Sequence, residues 1–214
     1  MKIFMIKGVH DSGKTTLVAG IISELSARGY SVGTIKDIHA ESFRMDQPGT
    51  DTCLHAEAGA QLVVARGLAE TDVMYQRRLG FEQILPLFTQ DYLILEGDPG
   101  VACPNMVTGH EEADLDLRMD DNTVCFGGIV SETLSYYKNK PVYRTKTQIN
   151  EITDLIEEKA METNKKEERE LKLYFDGEEV PMVPFVESLI RSTILGMMSE
   201  LKGFEENTKI KIEL

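Results

Sequence analysis

Residues 8–15, Gly8-Val9-His10-Asp11-Ser12-Gly13-Lys14-Thr15, match the pattern G-x-x-x-x-G-K-[ST] at every position. That spacing has a specific use. Two glycines let the backbone curl, so that the N–H groups around His10, Asp11 and Ser12 turn inward toward phosphate oxygens. The start of the following helix adds partial positive charge, which Thr16 shares. Lys14 places an ammonium on the β- and γ-phosphates of a nucleotide, and Thr15 offers a hydroxyl to Mg²⁺. A loop of this kind also needs a carboxylate beside the metal. Glu96 is the candidate, because it ends the apolar run Tyr92-Leu93-Ile94-Leu95 and is followed by Gly97. Asp37 and His39 follow a strand-like segment, within reach of the metal or the γ-phosphate. Asp51 closes the turn Pro48-Gly49-Thr50-Asp51 and either joins them or caps the helix that follows it.

The flanking segments read as the frame such a site requires. Residues 1–7 (MKIFMIK) form a mostly apolar strand. Residues 14–27 form a helix with Val18, Ile21, Ile22 and Leu25 recurring on one side and Gly29 just past its end. A second strand covers 31–36, and a polar loop covers 37–52. A short helix follows at 52–58, then strand-like pieces at 61–65 and 72–75 and a short helix at 81–88. The run 91–97 is apolar throughout and reads as a central strand buried on both faces. Residues 98–122, rich in Asp and Glu, read as irregular. Strands are predicted at 124–130 and 141–143, and an amphipathic helix at 149–161 carries Ile149, Ile152, Leu155 and Ile156 on one side. The alternation of strands and helices predicts a doubly wound, mostly parallel α/β sheet, with ligand at the carboxyl ends of the strands. It spans 1–161.

A charged stretch at 162–170 separates this domain from a different pattern. Asp176-Gly177 between two short apolar runs predicts a hairpin. Pro184 opens a helix to residue 202 that ends before Gly203, and 209–214 alternates like an edge strand. Residues 171–214 therefore read as a small ββαβ appendage.

Composition narrows the partners. The net charge of −13 opposes nonspecific binding to nucleic acid or to anionic membranes. No run is long and apolar enough to span a membrane, and the apolar start is too short for a signal peptide. The three cysteines, Cys53, Cys103 and Cys125, lie far apart. They read as reduced thiols of a cytoplasmic protein, with no metal motif.

Several segments together resemble a known family. GVHDSGKTT at 8–16, Ile35-Lys36-Asp37 with His39, Asp46-x-Pro48-Gly49-x-Asp51-Thr52, Ala58-Gly59-Ala60 and Leu93-Ile94-Leu95-Glu96-Gly97 occur in the order and spacing of the molybdopterin-guanine dinucleotide biosynthesis adaptor family, MobB. The likeness runs from residue 1 to about 161. It implies a homodimeric GTP-binding adaptor with weak hydrolysis, which assists the guanylyltransferase that attaches GMP to molybdopterin in molybdenum or tungsten cofactor synthesis. On that resemblance Lys14 and Thr15 serve the phosphates and Mg²⁺, Asp51 sits in a switch-like loop, and Glu96 is the acid near the metal. The chain departs from the family after Glu96-Gly97. Asp98-Pro99 stands where an aromatic and then a basic residue are usual, and Pro104-Asn105 stands where Pro-Lys is usual.

Other readings remain open on residues alone. A nickel- or cobalt-insertion GTPase of the same fold would carry a Cys/His motif. A small-molecule kinase would need an arginine-rich lid, for which the one adjacent arginine pair, Arg77-Arg78, with Arg66 near it, is thin material. A guanine-reading element is degenerate at Thr145-Lys146-Thr147-Gln148, so the base is not legible.

Overall fold

The computed structural model describes residues 1–163, 173–175, 178–180 and 184–199. The chain divides into two compact units, Met1–Asn164 and Lys165–Leu214.

In the first unit, β1 (Lys2–Gly8) leads through the glycine-rich loop into α1 (Lys14–Ala27), followed by β2 (Val32–Lys36), α2 (Asp51–Glu57), β3 (Leu62–Arg66), β4 (Thr71–Tyr75) and α3 (Phe81–Ile84). Then come β5 (Tyr92–Glu96), β6 (Asn105–Gly109), α4 (Glu112–Arg118), β7 (Thr123–Gly128), β8 (Tyr136–Tyr137), β9 (Lys140–Tyr143), α5 (Ile149–Lys159) and β10 (Met161–Glu162). The main sheet has the order β2-β5-β1-β6-β7-β9-β8, with β10 also paired to β1. From β2 to β9 every neighbouring pair is parallel. Only β8 and β10 run antiparallel to their partners.

Period-two alternation divides the sheet residues between two layers. Phe4, Ile6, Tyr92, Ile94, Met106 and Cys125 meet Leu17, Val18, Ile21 and Leu25 of α1 and Ile152 and Ile156 of α5. On the opposite face, Ile3, Met5, Leu93 and Leu95 meet Phe81, Leu85 and Phe88, while Val107 and Phe126 meet Leu115 of α4. This is the mostly parallel α/β sheet that the alternating pattern predicts.

Two parts of the sequence reading need correction. Residues 98–122 are not irregular throughout. They contain β6, every residue of which is buried, and α4. The cause is polarity inside the strand. Asn105 and Thr108 look like loop residues, yet both are buried and bonded. The Asn105 side-chain amide donates to Asp120 Oδ1 at 2.9 Å, and its carbonyl accepts from Thr123 Oγ1 at 2.9 Å. Asp120 also takes the ammonium of buried Lys7 at 2.5 Å. Burial alone would raise the Asp120 pKa, but the hydrogen bonds from Lys7 and Asn105 hold it below the ordinary carboxylate range. The residue that replaces the usual lysine after Pro104 is thus an interior strut. The second correction concerns the helix after Pro48-Gly49. It begins at Asp51, and Thr50 caps it by accepting from Cys53 N at 3.2 Å, so Asp51 is not the cap.

The predicted strands at 61–65 and 72–75 exist as β3 and β4, but they form their own two-stranded antiparallel sheet outside the main one. In the second unit, β11 (Leu173–Phe175) pairs antiparallel with β12 (Glu178–Val180), and α6 spans Pro184–Ser199. The predicted strand at 209–214, the helix end at 200–202 and residues 164–170 of the charged stretch lie outside the described residues.

Candidate functional site at the carboxyl ends of β1, β5 and β2

Strands β1 and β6 are neighbours whose connections leave in opposite directions. From β1 the chain passes through α1 to β2, and from β6 through α4 to β7, on the other side. The crevice at such a reversal is where ligands bind in open α/β sheets, and the glycine-rich loop sits there.

Its shape depends on close backbone approach. A Cβ on Gly8 would lie 2.2 Å from the carbonyl oxygen of Thr108, the residue paired with it on β6. Gly128, at φ +91°, packs so closely that a Cβ would meet Gly109 O at 2.7 Å and Ser12 O at 2.9 Å. The Ser12 side chain is buried, shares a 2.6 Å hydrogen bond with Thr108 Oγ1 and donates to Val9 O at 2.8 Å. It therefore braces the loop, and only its backbone is placed to serve a ligand. Asp11 (φ +53°) and Gly13 (φ +91°) adopt the left-handed conformation. Gly13 is the N-cap of α1 and brings no side chain to its first N–H groups. Those donors are the helix-terminal groups that favour an anion. His10 and Asp11 are exposed and paired with each other at 3.1 Å, and Thr16 is exposed on the first turn of α1.

Lys14 bends back and donates to Val9 O. Burial lowers its pKa from the ordinary lysine value, and Lys36 and Arg118 push the same way while Glu96 opposes them. The Thr15 hydroxyl donates to Glu96 Oε1 at 2.7 Å. Glu96 is buried at the last position of β5, so the residue chosen from the sequence as the acid does meet Thr15.

Asp37 follows directly, its N–H donating to Glu96 O at 2.8 Å. Gly97, at φ +105°, leaves room for it, since a Cβ there would come within 3.2 Å of Asp37 Cβ. Arg78 donates to Asp37 Oδ1 at 2.8 Å, and His39 stands 3.3 Å from Oδ2. Asp37 Oδ2 is buried without a hydrogen-bond partner. Arg77 is engaged with Gln83 at 3.1 Å. Asp51 opens α2 on the surface and takes no part in the hydrogen bonds at Thr15 and Glu96.

Sequence reasoning gave four residues no part in this site: Lys36, which reaches Glu96 (below), Arg78, considered only for a kinase lid, and Thr108 and Gly128, which fit the loop to the sheet. Lys36 carried a signal, being a cation at a strand end one position before Asp37. Thr108 and Gly128 carried none, because their roles exist only where β1, β6 and β7 and the loop meet.

The donors fit a hard divalent cation. A hydroxyl and buried carboxylates are oxygen ligands of the type Mg²⁺ takes, one or two from protein and the rest from phosphate and water. Among the described residues, no group of three His, Cys, Asp or Glu could hold a metal ion. The same residues contain no helix long and apolar enough to cross a membrane.

A cavity of about 490 Å³ lies further along the same sheet, lined among others by Tyr136, Tyr143, Arg144, Thr147 and Gln148. β7 links it to the loop. At its end Gly128 touches Ser12, while Gly127 lies against Thr145 and Tyr143.

Comparison with known proteins agrees with this geometry. The sequence profile of the family described as MobB, molybdopterin guanine dinucleotide synthesis protein B, matches residues 3–122. A Methanocaldococcus jannaschii protein named as a molybdopterin-guanine dinucleotide biosynthesis adapter is 27% identical, over 100% of this chain and 97% of its own length. A Bacillus subtilis protein of the same name is 24% identical over 66% of this chain and 84% of its own. Among solved structures, Bacillus subtilis MobB superposes with a TM-score of 0.65 at 22% identity, covering 75% of this chain and 99% of that one. A MobB homologue from Bacillus stearothermophilus gives 0.58 at 20% identity, with 74% and 100% covered. Since the family profile spans more than half of the sequence, the glycine-rich loop and the sheet that carries it place this chain in the MobB family.

Proposed function

We propose that this chain is a GTP-binding adaptor of molybdopterin guanine dinucleotide biosynthesis. In this reading it holds Mg²⁺·GTP, hydrolyses it weakly, and assists the enzyme that attaches GMP to the pterin of a molybdenum or tungsten cofactor. One observation carries the nucleotide part: a glycine-rich loop at the β1–β6 reversal, with Lys14 inside it and Thr15 bonded to buried Glu96. The backbone N–H groups of residues 10–16 receive the phosphates, and Lys14 leaves Val9 O to join them. Thr15 and Glu96 would hold Mg²⁺, which would supply neutralisation of the phosphate charge. Asp51, on the exposed head of α2, belongs to the segment that meets the γ-phosphate side of the nucleotide. The cavity beside Tyr143 and Arg144 receives the base. Calorimetric titration with GTP and with ATP, each with and without Mg²⁺, tests the reading. Tighter binding of GTP that requires Mg²⁺ is expected, and ATP binding without a preference for GTP would overturn it. The relatives' names support the adaptor part, whose test is co-purification with a guanylyltransferase.

The β3–β4 sheet supports the homodimer. Across its ladder Leu62 faces Tyr75 and Val64 faces Val73, and all four are exposed, whereas Val63 on the other face is buried. A lone two-stranded sheet with an apolar outer face is marginal in water, and a second copy would cover it. Val64→Glu is expected to turn a dimer into a monomer in sedimentation at a concentration where the wild type is dimeric. A wild type that sediments as a monomer would reject the dimer.

A further inference from the structure

Glu96 carries more than the Thr15 hydroxyl. The ammonium of Lys36, the last residue of β2, lies 2.5 Å from the same Oε1 and 3.2 Å from Thr15 Oγ1. The parallel register sets Lys36 directly opposite Glu96 on the adjacent strand. The Glu96 side chain is 9% exposed and that of Lys36 is 52% exposed. The lysine stem therefore runs along the surface while its charged head reaches a carboxylate that burial would otherwise leave unpaired. The neighbouring carboxylate is treated alike, because Arg78 lies on Asp37. The two acids at these strand ends thus each carry a cation from a neighbouring element.

We infer that Lys36 is a tethered counter-cation occupying the position of the divalent metal, and that it restricts the site to metal arriving with a nucleotide. This rests on the nucleotide reading above. A bare divalent ion brings two positive charges to an oxygen whose charge an ammonium already balances, and it offers Lys36 no new partner. Like charges a few ångströms apart in a partly buried site repel strongly. A metal that arrives with a polyphosphate brings its own anionic oxygens. Lys36, half-exposed on a flexible stem, can then move from Glu96 to those oxygens, and no buried charge is left alone.

The test is Mn²⁺ binding to the full chain, read by electron paramagnetic resonance, first without nucleotide and then with GTP. Without nucleotide, Lys36→Met is expected to bind Mn²⁺ at least about tenfold more tightly than the wild type. Lys36→Arg, which keeps the charge, should stay at the wild-type level. Adding Glu96→Gln to Lys36→Met should abolish the gain. Equal Mn²⁺ affinity in wild type and Lys36→Met, with melting temperatures unchanged, would overturn the inference, as would a gain in Lys36→Arg equal to that in Lys36→Met. The GTP arm separates the two ideas. A wild type that binds no Mn²⁺·GTP removes the nucleotide reading, while the nucleotide-free arm still reports on Lys36 alone.

Discussion

Lys14→Ala is expected to lose Mg²⁺·GTP affinity by about 100-fold or more while the fold stays intact. The size follows from what the ammonium meets. In the ligand-free chain its hydrogen bond goes to one backbone carbonyl, that of Val9. Against phosphate oxygens it makes charge-assisted bonds, each worth roughly 1.5–3 kcal/mol, and 100-fold is about 2.7 kcal/mol. The asymmetry between the two states is the reason for the expected pattern. The side chain is only half-buried, and buried Glu96 keeps its bonds from Thr15 and Lys36 without it, so the melting temperature should barely move. Affinity by calorimetry and melting by circular dichroism check the two halves together. Unchanged affinity would reject the assignment of the loop, and joint loss of affinity and fold would reject the claim that Lys14 acts on ligand alone.

Gly8→Ala has the largest expected effect on stability. The new methyl would sit 2.2 Å from Thr108 O and 2.3 Å from Thr108 Oγ1, in the interior of the sheet. Thr108 cannot retreat, because its backbone is held in the parallel ladder to β1 and its hydroxyl is bonded to Ser12. Overpacking of this kind costs about 1–3 kcal/mol and the strained backbone at φ +157° adds about 1–3 kcal/mol more. Together these are about 2–6 kcal/mol, and a fall in melting temperature of roughly 4–24 °C follows for a domain of this size. Gly13→Ala is the useful contrast, since a Cβ there meets nothing within 4 Å and only its φ of +91° is penalised. If Gly8→Ala melts no lower than Gly13→Ala, close approach to β6 is not what the first glycine is for.

The two glycines of one motif thus do different work, and only one of those jobs was visible in the string. The loop, the strand before it and the helix after it were legible because their signals are local: a continuous apolar run, a fixed glycine and lysine spacing, and a helical period. Glu96 was legible for the same reason, as the acid at the end of an apolar strand. β6 was not, because Asn105 and Thr108 read as polar until their partners Asp120, Thr123 and Ser12 are known. Nor was the separation of β3 and β4 from the main sheet, since their alternation states that they are strands and not which sheet they join.

By itself, then, the sequence determined the α/β class, the glycine-rich loop between strand and helix, and the family, all properties of short windows or of residue order. Tertiary structure alone decided which charges meet. Lys36, Glu96 and Thr15 lie on three different elements, with 21 positions separating Thr15 from Lys36 and 60 separating Lys36 from Glu96. Parallel pairing of β2 with β5 brings the last two opposite each other. Burial then fixes the outcome, because a carboxylate removed from water must take a cation, and the fold places that of Lys36 beside it.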